Sequence, residues 1–126
     1  MKLYIAGFFD TRERLYPIRD RLKAMGHVVT SRWLGEDLTA DYQIKSEEYW
    51  IECAKRDKED ILRADVILID TLDVTPRGGR EVEYGIAMMT GKLCYVVGPL
   101  RNVFHRLAHR HFHTWEECIH ALHSTI

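Results

Sequence analysis

The chain has 126 residues, 46% hydrophobic and 29% charged, a balance expected of one folded unit with no room for two. Eighteen Lys and Arg against 19 Asp and Glu leave a formal charge of −1, which argues against general electrostatic attraction to nucleic acid or an anionic membrane. No apolar run approaches the roughly 20 residues of a membrane span.

The first apolar run, residues 3–6, ends at Gly7 and reads as a strand too short for a signal peptide. Asp10 with Glu13 fits a helix N-cap and its capping-box partner, and Leu15, Ile18, Leu22 and Met25 recur at helical spacing. Pro17 interrupts that pattern, so the helix kinks or begins there, and Gly26 suits its C-terminal end. A second short strand is expected over 27–30, followed by a turn over 31–35 and a loop over 36–42. A long helix follows over about 44–62, with Tyr49, Trp50, Cys53, Ala54, Asp57, Ile61 and Leu62 towards one broad side.

Residues 66–69 form a continuous apolar run, as in a strand covered on both faces. A loop over 71–79 leads into a helix to about residue 90, closed by Gly91. The fourth strand is 93–97, a helical turn is expected within 101–110, and a brief fifth strand over 111–113. Thr114 caps a last helix over 115–122, with Glu117 as its capping-box partner. Strands alternating with helices predict an α/β three-layer sandwich on a four- to five-stranded parallel sheet. Ligands of such sheets lie beyond the carboxyl ends of the strands. Those ends are residues 7–12, 31–33, 70–79 and 98–104.

The glycine-rich turn Gly78-Gly79 opens a helix carrying Glu81 and Glu83 at such an end. Two residues apart, they point to different sides, so only one faces the crevice readily. Glu83 reads either as a nucleophile or acid/base, or as a first-turn carboxylate favoured by the helix dipole. Asp57 reads either as a second site carboxylate or as part of a solvated, ion-paired helix face. Arg12, Arg14, Arg77 and Arg80 fall in or near the strand-end loops, where guanidinium groups suit a phosphate or carboxylate.

His105, His109, His111 and His113 cluster, but no Cys or acidic ligand stands beside them, so no metal site is expected. Cys53, Cys94 and Cys118 lack a CxxC and read as reduced thiols of a cytoplasmic protein. Tyr4, Trp33 and Phe104 read as core or crevice wall rather than a nucleic-acid stacking surface. Neither GxGxxG nor a Walker lysine pattern is present, which disfavours an NAD enzyme or a P-loop ATPase.

Several segments in fixed order resemble the nucleoside 2-deoxyribosyltransferase superfamily, which includes the 2'-deoxynucleoside 5'-monophosphate N-glycosidases. They are Tyr4-Ile5-Ala6-Gly7, the stretch 26–34, Asp57 eight residues before Asp65, and Glu83-x-Gly85-x-Ala87-x-x-x-Gly91-Lys92. The stretch 97–105 looks like a subgroup of short bacterial and phage members. The resemblance spans nearly the whole chain and implies a Rossmann-like (flavodoxin-like) fold. It also implies chemistry at the N-glycosidic bond of a deoxynucleoside or its 5'-monophosphate, with no cofactor. Glu83 matches the family's nucleophile, Asp57 a carboxylate assisting sugar and leaving base, and Tyr4 a tyrosine that hydrogen-bonds the nucleophile.

Gly7, Arg12, Arg77, Gly79 and Arg80 are then expected on the sugar-phosphate side, with Phe8, Trp33 and Phe104 completing the substrate-binding set. A homodimer or higher oligomer is implied as well. Two departures stand out. Ala6-Gly7-Phe8 replaces the familiar Ala-Gly-Pro, and Arg77 stands where the transferases carry an aspartate. Two other readings stay open: a non-catalytic nucleotide-binding module, and a small signalling domain, which would place acidic residues rather than arginines at the strand ends.

Overall fold

The computed structural model describes residues 1–35 and 46–123. Five parallel strands form one sheet in the order β2-β1-β3-β4-β5. They are β1 (Lys2–Ala6), β2 (Val28–Val29), β3 (Val66–Asp70), β4 (Leu93–Val97) and β5 (Arg110–Phe112). Four α-helices accompany them: α1 (Tyr16–Ala24), α2 (Glu47–Arg63), α3 (Gly79–Met89) and α4 (Trp115–His123). Among the described residues, no helix is long and apolar enough to cross a membrane.

Every residue of the central strand β3 is buried, which requires cover on both faces of the sheet. Helices α2 and α3 pack against each other. Arg21 of α1 pairs with Glu116 of α4, joining the other two helices. The core runs through Leu3, Ile5, Leu22, Ile61, Ile67 and Leu122, all without solvent exposure.

The expected helix opening at Asp10 is instead a 3-10 segment, Phe9–Leu15, preceded by Phe8 with no side-chain cap. Thr11 leaves helical angles there (φ −112°, ψ 23°), and the α-helix proper begins with Pro17 in its first turn. Proline's fixed φ suits that position and its missing N–H costs nothing there. The predicted loop over 36–42 and the helix start at residue 44 lie outside the described residues. Helix α2 is capped by Ser46, whose hydroxyl accepts from the Tyr49 amide.

The helical turn expected within 101–110 is a 3-10 segment, Val103–Leu107, capped by the Asn102 side chain. Strand β5 begins one residue earlier than expected, at Arg110. Thr114 caps α4 by accepting from the Glu117 amide, while the Glu117 carboxylate accepts from the His113 amide. Gly98 ends β4 at φ 119°, where a Cβ would lie 2.6 Å from Thr71 Oγ1. Both the angle and the clash demand glycine.

Candidate active site

The strand order reverses at β1 and β3, since β2 lies on one side of β1 and β3 on the other. At such a switch point the loops leaving neighbouring strands part in opposite directions and open a crevice. A cavity of about 740 Å³ lies there. Gly7 and Phe8 border it from the end of β1, Thr75, Arg77 and Gly79 from the loop after β3, and α2 closes the far wall.

Gly7 is a close-approach position, because a Cβ there would stand 2.8 Å from Leu15 Cδ1. The cavity-facing stripe of α2 is Trp50, Cys53, Ala54, Asp57 and Ile61, residues three or four apart and so on one helix side. Tyr49 and Trp50 add an aromatic wall, their rings edge to face at 5.1 Å. Phe9 and Trp33, with centroids 6.4 Å apart, extend it from the other side. Trp33 is fixed by its indole N–H, which donates to the Ile5 carbonyl at 2.8 Å.

Glu83 lines the cavity from α3, about one turn beyond Gly78 and Gly79. Its Oε2 accepts a hydrogen bond from the hydroxyl of Tyr4, a fully buried residue of β1. Tyr4 and Ile67 are partners in the β1–β3 register, so the tyrosine rises from the middle of the sheet. Burial pushes the Glu83 carboxyl up to about 8; the Tyr4 hydrogen bond and Arg56 pull it down, while the charge of Asp57 pushes it further up. Burial, then the charges of Glu83 and Asp57, hold the Tyr4 hydroxyl well above its ordinary value. Tyr4 therefore stays a proton donor to Glu83 across the working pH range.

Asp57 faces the same cavity from α2 and pairs with its neighbour Arg56 at 3.3 Å. The structure thus brings Asp57 of α2 and Glu83 of α3 to one cavity wall, with buried Tyr4 of β1 outside the lining and bonded to Glu83. It also brings Gly7, Phe8, Trp33, Arg77, Gly79 and Arg80 to the lining.

Arg80 is buried, and its guanidinium donates to the carbonyls of Asp70 (3.2 Å) and Asp73 (2.7 Å). That grip fixes the loop between β3 and α3. Arg12 and Phe104 are not brought into the lining. The Arg12 guanidinium lies 4.2 Å over the Phe9 ring and donates to the Phe9 carbonyl at 3.0 Å, turning away along its own segment. Phe104 lies on the 3-10 segment after β4, its ring largely exposed and its carbonyl accepting from Tyr84. Arg14 stands apart too, forked onto Asp70 at 2.8 and 3.0 Å.

Sequence reasoning did not assign Tyr49, Trp50, Phe9 and Arg56 to the site. The signal for Trp50 was present: Trp50, Cys53 and Asp57 follow one another at three and four residues, so a site carboxylate at 57 places Cys53 one turn and Trp50 two turns earlier on the same side. The histidines serve the scaffold. His105 Nδ1 accepts from the Arg101 amide at 2.9 Å while Nε2 meets Glu81 at 2.8 Å, and His109 Nδ1 accepts from the Cys94 amide. Among the described residues, no three His, Cys, Asp or Glu side chains form a group able to hold a metal ion.

No protein-family model and no curated protein matches the sequence. Solved structures do match. A 2-deoxyribosyltransferase from the psychrotolerant bacterium Bacillus psychrosaccharolyticus superposes with a TM-score of 0.78 at 23% identity, over 94% of this chain and 90% of that one. The CMP N-glycosidase BcmB of Clostridium botulinum superposes at 0.64 and 17% identity, over 97% and 98%. A conserved protein of Enterococcus faecalis V583 superposes at 0.73 and 16%, over 100% and 99%. The chain therefore shares its fold, over nearly its whole length, with a 2-deoxyribosyltransferase and an N-glycosidase, the fold that the sequence resemblance implied.

Proposed function

We propose that the protein is an enzyme that cleaves or transfers the N-glycosidic bond of a 2'-deoxynucleoside or its 5'-monophosphate through a covalent glycosyl–Glu83 intermediate. The observation that carries this reading is the hydrogen bond from Tyr4 to Glu83 at the wall of a cavity that Asp57 also faces. A carboxylate so placed is aimed, oriented and partly desolvated, as a nucleophile must be.

In the first step a Glu83 carboxylate oxygen bonds to C1' as the bond from C1' to the base nitrogen breaks. The electron pair of that bond leaves with the base, which takes a proton supplied through Asp57. Water or a second base then attacks C1' and gives its proton back to Asp57 as the ester bond breaks and the Glu83 carboxylate is released. Water gives hydrolysis and a base gives transfer. Positive charge develops on the sugar ring in both steps, and Asp57 and the ionised Glu83 stabilise it. No electrons are exchanged, so the chemistry calls for no redox cofactor.

The aromatic wall of Phe9, Trp33, Tyr49 and Trp50 offers stacking surface for a nucleobase. Incubation with the four common 2'-deoxynucleosides and their 5'-monophosphates, with and without an acceptor base, tests the reading by chromatography. Free base is expected from at least one substrate. No base from any of them would overturn the proposal and leave a ligand-binding module.

A further inference from the structure

We infer that Asp73, set back from the cavity, is a positioning residue: its carboxylate clasps the segment after β1 to the loop after β3 and so fixes the wall that Phe8 and Phe9 present to a substrate. This inference rests on the glycosidic reading and adds to it a residue that lies outside the lining. Neither Thr11 nor Asp73 borders the cavity. Thr11 stands two residues beyond Phe9 and Asp73 two residues before Thr75, and Phe9 and Thr75 both border it.

The two segments leave adjacent strands at the point where their loops part, so the sheet itself does not tie one to the other. Side chains make the tie. The 3-10 segment Phe9–Leu15 kinks at Thr11, whose hydroxyl donates to Asp73 Oδ2 at 2.6 Å. Arg14 donates to the same oxygen at 2.8 Å. The Thr11 bond, then the Arg14 bond, hold the Asp73 carboxyl below its ordinary range, so it is ionised at neutral pH. Donors to a carboxylate form the shorter and stronger kind of hydrogen bond. Arg77 reaches Asp10 at 3.9 Å across the same two segments, but a pair that long and exposed adds little.

The Asp73 side of the clasp is the anchor. Arg80 donates to the carbonyls of Asp70 and Asp73, and the Arg101 guanidinium donates to the Thr71 carbonyl at 2.9 and 3.0 Å. On the other side, Arg14 has a second hold on Asp70, which leaves the Thr11 bond as the tie nearest Phe9. Phe9 offers stacking surface there, its ring 6.4 Å from that of Trp33. Glu83, Asp57 and Tyr4 stand on α3, α2 and β1, outside both clasped segments. Releasing the clasp therefore moves a binding wall and leaves the reacting groups in place, so its cost falls on KM rather than on kcat.

The test compares full-length wild type with Thr11→Val, Thr11→Ser, Asp73→Ala and the double variant Thr11→Val/Asp73→Ala, each checked for its fold by circular dichroism. Base release gives kcat and KM, and hydrogen exchange read by mass spectrometry gives the looseness of residues 8–12. Thr11→Val and Asp73→Ala should each raise KM roughly tenfold, the loss of one charge-assisted hydrogen bond, with kcat within about threefold of wild type. Thr11→Ser keeps the hydroxyl and should restore KM. Asp73→Ala should speed exchange at residues 8–12, on the segment that was not altered. The double variant should be no worse than Asp73→Ala, because the two residues act through one bond.

A bond that only stabilises the fold would lower the urea midpoint and leave KM unmoved. Unchanged KM in Thr11→Val and Asp73→Ala, unchanged exchange at residues 8–12, or additive losses in the double variant would overturn the inference. Wild-type base release with KM unmoved in the variants sinks the clasp and keeps the glycosidic reading. If the wild type releases no base, that reading falls, and calorimetric titration with the same nucleosides and monophosphates decides the clasp. Affinity lost in Thr11→Val and restored in Thr11→Ser keeps it; equal affinity, or no binding by the wild type, sinks it as well.

Discussion

The Tyr4 hydroxyl donates to Glu83 Oε2 although 79 positions separate the two residues in the chain. The contact exists because β1 lies beside β3 in the sheet and α3 follows β3 directly. It opposes burial, which otherwise drives the carboxyl towards its neutral form. The nucleophile proposed here is the ionised form, so kcat/KM should rise with pH towards a limb near 8. Tyr4→Phe removes a bond that lowers the pKa, so the limb should move to higher pH by roughly one unit. A pH–rate profile of both proteins, read as base release, checks this. An unmoved limb would mean that Tyr4 does not hold the ionised carboxylate.

Stability should carry the same signature. Folding raises the Glu83 pKa from an ordinary value of 4.5 to about 8. The native state then keeps a proton that the unfolded chain gives up above pH 4.5. Glu83 contributes its stability below that value and loses it as pH climbs towards 8. Glu83→Gln does not ionise, so it should match the wild type near pH 4 and exceed it by a few kcal/mol near pH 8. Urea unfolding at a series of pH values measures the gap, which on this account widens with pH.

Asp57 is assigned the proton for the leaving base. Asp57→Asn should therefore cost roughly 10²- to 10³-fold in kcat on natural substrates. A 2-deoxyriboside whose leaving group departs without a proton, such as a nitrophenolate, should recover most of that loss. Equal losses on both substrates would place Asp57 with the sugar rather than with the leaving group.

Asp70, at the end of β3, organises the crevice floor from outside the cavity. Its carboxylate accepts from both Arg14 nitrogens, the Leu72 amide at 2.9 Å and the Trp115 indole at 2.7 Å. The Asp70 partnership holds the Arg14 guanidinium above its usual range. Asp70→Asn turns an amide N–H towards these donors and leaves Trp115 or Arg14 unmatched. A loss of about 3 kcal/mol is expected in chemical denaturation.

Much of this architecture was legible in the chain. The continuous apolar runs of β3 and β4 marked buried parallel strands, and the 3.6-residue period marked α2 and α3. Glu83 stood out on the helix opened by Gly78 and Gly79 at a strand end, whereas Asp57 and Tyr4 carried site roles only through the family resemblance. The 3-10 segment Phe9–Leu15 was not legible, since Asp10 carries a capping signal that Pro17 overrides about two turns later. The turning away of Arg12 was hidden for a related reason: the Phe9 ring and carbonyl capture its guanidinium locally. Arg80 looked like a ligand arginine until its hydrogen bonds to two loop carbonyls appeared. Asp70 gave no sign of its role, because its partners lie 45 and 56 residues away.

The covalent role of Glu83 is tested most directly by acid-quenching the protein within its first turnovers on a 2'-deoxynucleoside 5'-monophosphate and mapping its peptides by mass spectrometry. The account predicts a sugar-phosphate adduct on the peptide containing Glu83, formed with release of base and absent from Glu83→Gln, which should lose at least about 10³-fold in rate. Base release at the wild-type rate by Glu83→Gln would contradict it.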